Sequence, residues 1–221
     1  MISQKEYWDG RFKKGKLWGD QPCPSAYRTV SYLEKNCSNS ILVPGCGYGR
    51  NSAYFAKNGY DVTGVDISHE AIKHAISDVK ADVTNLNYQL KDLFSLSSIG
   101  TEFDAVFLSN VIHLFLEKDR AKLVQVMDSL IKPNGLFIFT VISRSDSKNF
   151  GVGEEVEQNT FLHNEKVLHF YTTEEIRGIL PSNYKILEQE LHTQTEKDPL
   201  GNEEELILWF VVTKNNKHFS L

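Results

Sequence analysis

The chain has 221 residues, of which 41% are hydrophobic and 24% charged, with a formal net charge of -5 at pH 7. This composition is ordinary for a globular protein, and the length suits one large α/β domain. The acidic balance argues against a nucleic-acid partner, and no apolar run approaches the roughly 20 residues that span a bilayer.

The cysteines and histidines indicate neither disulfide bonds nor a metal site. Cys23, Cys37 and Cys46 are scattered and form no Cys-x-x-Cys pair, and the seven histidines form no ligand cluster. The N-terminal residues lack the apolar core of a secretory signal. We therefore expect a cytoplasmic protein that binds no metal, no membrane and no nucleic acid and needs no obligatory protein partner.

Residues 1–36 predict a helical region that precedes the core and forms a lid. Tyr7, Trp8 and Trp18 stand among charged residues, and their aromatic faces would suit a cationic ligand. Pro24 then opens a helix that continues to about Asn36. The alternative is that these aromatic residues only pack a helix against the edge of a sheet.

Strands and helices alternate through the middle of the chain. Apolar runs predict five strands, at residues 40–43, 60–65, 86–90, 103–108 and 136–142. Helices are predicted between them, at residues 49–58, after Ser68 and at residues 118–131, and Gly59 stands where a helix C-cap glycine should. Strands separated by helices form right-handed βαβ units, which predicts a parallel sheet.

The C-terminal part of the chain breaks this alternation. After a short helix at residues 173–180, two strands at residues 184–192 and 205–213 are joined by a polar turn near Pro199 and Gly201. Adjacent strands without a crossover must be antiparallel. The whole prediction is one domain over residues 1–221 with an α/β, Rossmann-like fold: a seven-stranded, mostly parallel sheet flanked by helices and closed by a C-terminal antiparallel β-hairpin.

A polar segment at residues 143–171 is too long for an ordinary connection. It follows the fifth strand at the carboxyl edge of the sheet, where ligands bind in open α/β folds. We expect an insertion that covers a substrate, with His163 and His169 among the residues that meet it. A surface loop without a function is the alternative.

The glycine-rich loop at residues 45–50 is the strongest functional signal. Its Gly-x-Gly-x-Gly pattern is followed by Arg50, at the position where nicotinamide-binding loops carry a glycine that packs against the strand. Asp66 closes the second strand, where a carboxylate can accept hydrogen bonds from a ribose diol. Asp92 follows the third strand at the expected rim of an adenine pocket. Both acids have a local alternative as helix caps, although Ser68 is better placed than Asp66 for the next helix.

These segments together resemble class I S-adenosylmethionine-dependent methyltransferases, from about Tyr7 to Lys214. The resemblance rests on VPGCGYGRNSAYFAKNGYDVTGVDIS, KDLF, FDAVFLSNVIHLF, IKPNGLFIFT and HFYTTEEI in that order. Within the class, the loop and second strand are similar to tellurite-resistance methyltransferases, and Val-Pro-Gly-Cys-Gly to thiopurine methyltransferases. One departure is Val43, where many members carry an acid that holds the cofactor's amino group.

The resemblance implies S-adenosylmethionine as cofactor and S-adenosylhomocysteine as product. It places the following residues around the cofactor: Gly45, Cys46, Gly47, Gly49, Asp66, Ile67, Asp92, Leu93, Ser109 and Asn110. Within that set, Cys46 has no chemistry of its own and is expected to pack. Asn110 has an alternative as a residue that only shapes the turn after the fourth strand.

Methyl transfer to a small-molecule acceptor needs in-line alignment more than activation, because the sulfonium carbon is already electrophilic. A thiol or a chalcogen oxyanion as acceptor would need no base, whereas a hydroxyl or an amine would need one. His113 is the candidate base for that second chemistry, and a structural histidine beneath the cofactor is its alternative. A non-catalytic, cofactor-binding regulatory module is the alternative of a different class.

Overall fold

Ten strands and six α-helices make up the fold in the computed structural model, which describes residues 3–16, 18–79, 81, 83–163, 165–197 and 203–217. The strands are β1 (Ser40–Pro44), β2 (Asp61–Asp66), β3 (Leu86–Leu90), β4 (Phe103–Ser109), β5 (Ile131–Ile142), β6 (Glu154–Glu157), β7 (Thr160–His163), β8 (Lys166–His169), β9 (Tyr184–Lys197) and β10 (Glu203–Asn215). The helices are α1 (Gln4–Phe12), α2 (Pro24–Lys35), α3 (Arg50–Lys57), α4 (His69–Ser77), α5 (Glu117–Asp128) and α6 (Thr173–Ile179). Two short 3₁₀ helices, η1 (Leu93–Ile99) and η2 (Ile112–Leu114), follow β3 and β4.

Seven of these strands form one sheet in the order β3-β2-β1-β4-β5-β10-β9. Neighbours from β3 to β5 are parallel, whereas β10 is antiparallel to both β5 and β9. The predicted Rossmann-like sheet with a terminal antiparallel hairpin is therefore confirmed. The hairpin strands extend beyond their predicted ends, through polar residues that carry no apolar alternation, and the predicted turn at Pro199 and Gly201 lies outside the described residues.

The central strands are apolar on both faces because helices cover both sides of the sheet. In β1, Leu42 packs into one core cluster, whereas Ile41 and Val43 pack into the cluster on the opposite face. Phe107 and Leu108 of β4 divide between the two clusters in the same way. This two-sided burial is what parallel strands with crossover helices require, and it leaves the carboxyl edge of the sheet as the open side.

Local signals set most helix boundaries where the sequence predicted them. The Ser68 side chain accepts a hydrogen bond from Ala71 N and caps α4, and Gly59 adopts a left-handed φ of +90° just after α3. The end of the helix before β5 differs from the prediction, which placed it at residue 131. Helix α5 ends at Asp128 and β5 begins at Ile131, so the predicted turn before Gly135 is a register irregularity within the strand.

The segment at residues 143–171 is not an irregular loop. It contains the second, three-stranded antiparallel sheet of β6, β7 and β8, which the polar sequence did not reveal. Its two ends meet at a bridge between Ser143 and Tyr171. Asp146 fixes it to the main sheet because its buried carboxylate accepts a hydrogen bond from Ile207 N.

Within the part of the chain that the structure describes, no helix is both long and apolar enough to cross a membrane. The same residues contain no group of three His, Cys, Asp or Glu side chains placed to hold a metal ion.

Candidate functional site

One cavity runs along the carboxyl edge of the sheet. It extends from Asp92, just past β3, to Leu206 and Leu208 at the start of β10. The strands β3, β2, β1, β4, β5 and β10 are consecutive neighbours, and strands lie about 4.8 Å apart, so the cavity spans about 24 Å of sheet. A site of this length has room for two ligands placed end to end along the edge of the sheet.

Most of the predicted site residues line this cavity. Those that do are Tyr7, Trp8, Trp18, Gly45, Cys46, Gly47, Asp66, Ile67, Asp92, Leu93, Ser109, Asn110 and His113. Those that follow strands come together because the carboxyl ends of parallel strands meet at one edge, whereas Tyr7, Trp8 and Trp18 reach the cavity from α1 and the segment after it. Gly49, His163 and His169 are not among the lining residues.

Backbone strain and crowding explain the first glycine of the loop. Gly45 has a φ of +63°, in the left-handed region that side chains disfavour. A Cβ on Gly45 would also lie 2.6 Å from Val111 Cγ2, closer than carbon atoms approach. The glycine loop and the segment after β4 therefore touch directly, and together they form one wall of the cavity.

Gly49 has a packing role, since it is the N-cap of α3 with a φ of +83°. Tyr88 of β3 lies against it and donates a hydrogen bond to Gly49 O at 3.2 Å. Arg50, in place of the third glycine of nicotinamide-binding loops, points toward the N-terminal segment and donates from Nη1 to Trp18 O at 2.6 Å. Arg50, which argues against a nicotinamide-binding loop, thus forms a hydrogen bond to the segment that covers the site.

Asp66 is buried at the end of β2 and braces the loop. Its Oδ2 accepts from Gly47 N at 2.8 Å and its Oδ1 from Ser68 N at 2.9 Å. Burial raises the pKa of this carboxyl, against the opposing effect of those two N–H groups. Each oxygen accepts one backbone bond in this way, which leaves further lone pairs for hydroxyl donors in the cavity.

The polar residues after β3 and β4 combine local and cavity-facing roles. Asp92 Oδ1 accepts from Phe94 N at 2.7 Å and so caps η1 while it lines the cavity. Asn110 adopts a left-handed φ of +58°, and its Oδ1 accepts from Thr140 Oγ1 at 2.8 Å. Both local alternatives, the cap and the turn, are therefore present in the structure alongside cavity exposure.

Helix α1 lies over the glycine loop. Its Asp9 carboxylate accepts from Ser68 Oγ at 2.6 Å and from Glu70 N at 3.3 Å, at the N-terminus of α4. Trp18 stacks on Tyr48 at 6.2 Å between ring centroids, and Trp18 N donates to the Tyr48 hydroxyl. The predicted lid residues thus pack against the loop and the cavity at the same time.

His113 is buried in η2, and its Nδ1 accepts a hydrogen bond from Ile142 N at 3.3 Å. An acceptor nitrogen carries no proton, so the ring proton lies on Nε2. Burial, assisted by the charges of Lys166 and His169, lowers the pKa of His113 to about 3. His113 is consequently a neutral hydrogen-bond donor and a very weak base.

The far end of the cavity is apolar, and we call it the apolar chamber. Its walls are Leu114, Phe115, Ile142, Leu168, Leu206 and Leu208. The polar groups that join them there are His113, Asn149, Lys166 and Glu204. Lys166 and Leu168 alternate along β8, so the insertion does contribute to the cavity, through residues that the sequence reasoning missed.

The two histidines predicted to meet a substrate lie elsewhere. His169 is buried on the other face of β8, between Thr160 Oγ1 at 2.8 Å and Glu175 Oε1 at 3.6 Å. His163 is opposite Lys166 on β7, one strand further from η2. His169 is excluded by the parity of a short polar strand, which nothing in the sequence marks, whereas His163 shares the face of Lys166 and lies one strand further out.

Comparison with known proteins shows what this fold is similar to. Residues 42–139 match the family model of a methyltransferase domain. This match covers β1 to β5 and contains the glycine loop, Asp66, Asp92 and the segment after β4. This part of the chain, a little under half of it, is similar to methyltransferase domains.

A curated relative is similar to part of this chain. The chain is 30% identical over 119 residues to a ubiquinone biosynthesis O-methyltransferase from Coxiella burnetii, which is 52% of this chain and 50% of that protein. The chain thus spans about half the length of the curated relative.

Two solved structures share the fold of the methyltransferase domain and of the parts that surround it. One is a SAM-dependent methyltransferase from Anabaena variabilis, with a TM-score of 0.71, 19% identity and coverage of 97% of this chain and 96% of that one. The other is TehB from Haemophilus influenzae, with a TM-score of 0.63, 18% identity and coverage of 97% and 68%. At these identities the likeness concerns the fold alone.

The sequence reasoning missed several residues that line the methyltransferase cavity. Gln4, Arg11 and Phe12 extend the α1 surface beyond Tyr7 and Trp8 at helical spacing, which an i, i+4 pattern would have indicated. Burial raises the pKa of the Cys46 thiol well above its usual value, with a further contribution from Asp66. A protonated, buried thiol is inert, as the packing interpretation of Cys46 predicts.

Proposed function

We propose that this protein transfers the methyl group of S-adenosylmethionine to a small-molecule acceptor, such as a thiol or a chalcogen oxyanion. The observation that carries the proposal is the single cavity, which joins the glycine loop and Asp66 at one end to the apolar chamber at the other. A methyl donor and an acceptor must lie end to end for in-line transfer, and this cavity has both compartments in one line.

The first compartment suits the adenosine half of the cofactor. Asp66 has lone pairs left for the ribose hydroxyls, Ile67 offers an apolar face to the adenine, and Asp92 with Leu93 lies beside its edge. Gly45 and Gly47 would allow the backbone to approach the ribose and methionine portion.

The charged end of the cofactor has a candidate partner in α1. The buried Nε of Arg11 has no hydrogen-bond partner among the described residues, and Arg11 lines the cavity. A guanidinium pairs well with a carboxylate such as that of the cofactor's methionine. Ser109 and Asn110, which end β4, lie between the two compartments and are the residues proposed to flank the transferable methyl.

The state of His113 bears on the acceptor. A base whose pKa is about 3 accepts a proton poorly at neutral pH, and its Nδ1 already accepts from Ile142 N. We therefore favour an acceptor that ionises by itself, such as a thiol or a selenium or tellurium oxyanion, over a hydroxyl or amine that needs His113 as base.

Calorimetric titration tests the cofactor half of the proposal. S-adenosylhomocysteine should bind and NAD should not. Asp66→Ala should weaken S-adenosylhomocysteine binding by at least about 1 kcal/mol, the scale of a hydrogen bond to a charged group. Asp61→Ala, at the exposed opposite end of the same strand, is the matched control and should bind as the wild type does. Unchanged binding by Asp66→Ala would remove Asp66 from the site.

Turnover tests the acceptor half. The protein and S-adenosylmethionine would be mixed with thiols, selenite, tellurite and small hydroxyl and amine compounds, and S-adenosylhomocysteine formation measured. Turnover with thiols or chalcogen oxyanions is expected. Tight cofactor binding without turnover on any of these compounds would favour a regulatory, non-catalytic module.

A further inference from the structure

Two hydrogen-bond donors, the His113 ring and the Lys166 ammonium, are among the polar groups that line the apolar chamber. His113 presents Nε2–H, because its Nδ1 is turned to the backbone of β5. Strand β8 packs directly against η2, and its Lys166 lines the same cavity. Leu168, two residues along the strand, is buried against Leu114 and Leu208 and gives this end its apolar wall.

We propose that Lys166 and the Nε2–H of His113 form an anion subsite that holds the methyl acceptor as its conjugate base, with the acceptor's apolar body in the apolar chamber. This inference rests on the proposed function, and it names the acceptor class as an acidic, amphipathic molecule such as an aromatic thiol or a phenol. Lys166 then replaces a general base, because its charge favours the ionised acceptor rather than removing the proton.

The charge pattern around the subsite supports this assignment. The titratable groups that line it are His113 on η2, Lys166 on β8 and Glu204 on β10, and His163 on β7 is the cross-strand neighbour of Lys166 outside the lining. Of these, Glu204 is the only described carboxylate that lines the apolar chamber, and it is exposed at the start of the strand. At the other end of the cavity, Asp66 already accepts two backbone hydrogen bonds.

The positive charge of Lys166 is effective inside the cavity. After burial, it contributes to lowering the pKa of His113, so the ammonium lies within electrostatic reach of the ring. The same field at an acceptor beside His113 would lower that acceptor's own pKa. An opposite charge within about 4–6 Å typically lowers an acid's pKa by about one to three units.

The transfer step balances without a base. The lone pair of the acceptor anion forms the new bond to the methyl carbon as the methyl–sulfonium bond breaks and its electron pair returns to the cofactor's sulfur. Two charges of opposite sign are neutralised, and no proton moves in the step. The acceptor's proton leaves earlier, to solvent, when the anion enters the subsite.

Absorbance titration of 4-nitrophenol bound to the S-adenosylhomocysteine complex tests the proposal, since its phenolate absorbs in the visible and the product complex cannot methylate it. The apparent pKa of the bound phenol should lie at least about one unit below that of the free phenol. Lys166→Met should abolish the shift and weaken binding at neutral pH about tenfold or more, whereas Lys166→Arg should retain most of both.

Lys148→Met is the matched control, because it removes the same charge from an exposed lysine that pairs with Glu205 outside this cavity. It should leave the probe's pKa unchanged. Thermal unfolding of each variant shows whether the fold is intact. A probe pKa that is raised or unchanged in the wild type, no binding of 4-nitrophenol to a complex that holds S-adenosylhomocysteine, or equal shifts in Lys166→Met and wild type would overturn the anion subsite.

Turnover separates this inference from the proposed function. Transfer to neutral amines only, with intact cofactor binding, would refute the subsite and leave a methyltransferase. Failure to bind S-adenosylhomocysteine at all would refute the proposed function itself. With an aromatic thiol as acceptor, the acid limb of kcat, which reports the bound complex, should move toward the pKa of the free thiol in Lys166→Met but not in Lys148→Met.

Discussion

Replacing Gly45 by alanine tests whether the glycine loop is built around contact with the segment after β4. Two separate costs are expected. A left-handed φ of +63° costs an alanine about 1 kcal/mol relative to glycine. The new Cβ would lie 2.6 Å from Val111 Cγ2, and overpacking of this kind costs about 1–3 kcal/mol. Gly45→Ala should therefore lower the free energy of unfolding by about 2–4 kcal/mol.

Gly59 provides a matched control that separates the two costs. It has a φ of +90°, but a Cβ there would have no atom within 4 Å. Gly59→Ala should therefore cost only about 1 kcal/mol, the left-handed contribution. The difference between the two variants, measured by urea unfolding, gives the contact cost by itself.

A double-mutant cycle identifies Val111 as the source of that cost. Val111→Ala removes the atom that the new Cβ would meet, at the expense of a small cavity, because Val111 is buried at 7% exposure. The double variant should be more stable than the sum of the single variants by about 1–3 kcal/mol. Additivity within about 0.5 kcal/mol, or equal costs for Gly45→Ala and Gly59→Ala, would show that this reasoning is wrong.

Three further predictions concern charged groups. The pKa of His113 is about 3 when folded and near 6.5 when unfolded, so its contribution to stability is present above pH 6.5 and is lost as the pH falls toward 3. Between pH 7 and 5 this group should lower the free energy of unfolding by about 2 kcal/mol in total, because the slope approaches about 1.4 kcal/mol per pH unit only well below pH 6.5. An unchanged pH dependence of urea unfolding in His113→Asn would contradict this prediction. Asp104, bonded to Lys132 Nζ and to the N–H groups of Asn39 and Ser40, has a pKa lowered to about 2, so Asp104→Asn should lower the melting temperature at pH 7 and have little effect near pH 2. Asp9→Ala should speed amide exchange in α1 without changing global stability by more than about 1 kcal/mol, and equal exchange rates in variant and wild type would show that the Asp9 contacts do not hold the lid.

Much of the fold was predictable because its signals are local. Ser68 and Gly59 mark helix ends through hydrogen bonds and backbone angles that depend on a few neighbouring residues. The apolar runs of β1 and β4 predict buried parallel strands for the same reason. The longer hairpin and the small sheet of β6, β7 and β8 were missed, because polar strands lack the alternation that makes a strand visible in sequence.

The candidate site divides in the same way. The positions of Asp66 and the glycines directly after apolar runs identify them in the sequence, and a parallel sheet brings the ends of those strands together. Lys166 had no such mark, and His169 was chosen by residue type although its side chain lies on the other face of β8. Side-chain direction in a short strand depends on register with its neighbours, which only tertiary contacts fix.

The sequence by itself therefore determined the fold class of this protein, a parallel sheet with a glycine-rich loop. Strand ends and glycine turns depend on residues that are neighbours in the chain. Only the tertiary structure decided what surrounds a second ligand. The tautomer of His113 depends on Ile142 N, which is 29 residues away, and the approach of Lys166 depends on the packing of β8 against η2. Such contacts join distant parts of the chain, so no local pattern can encode them.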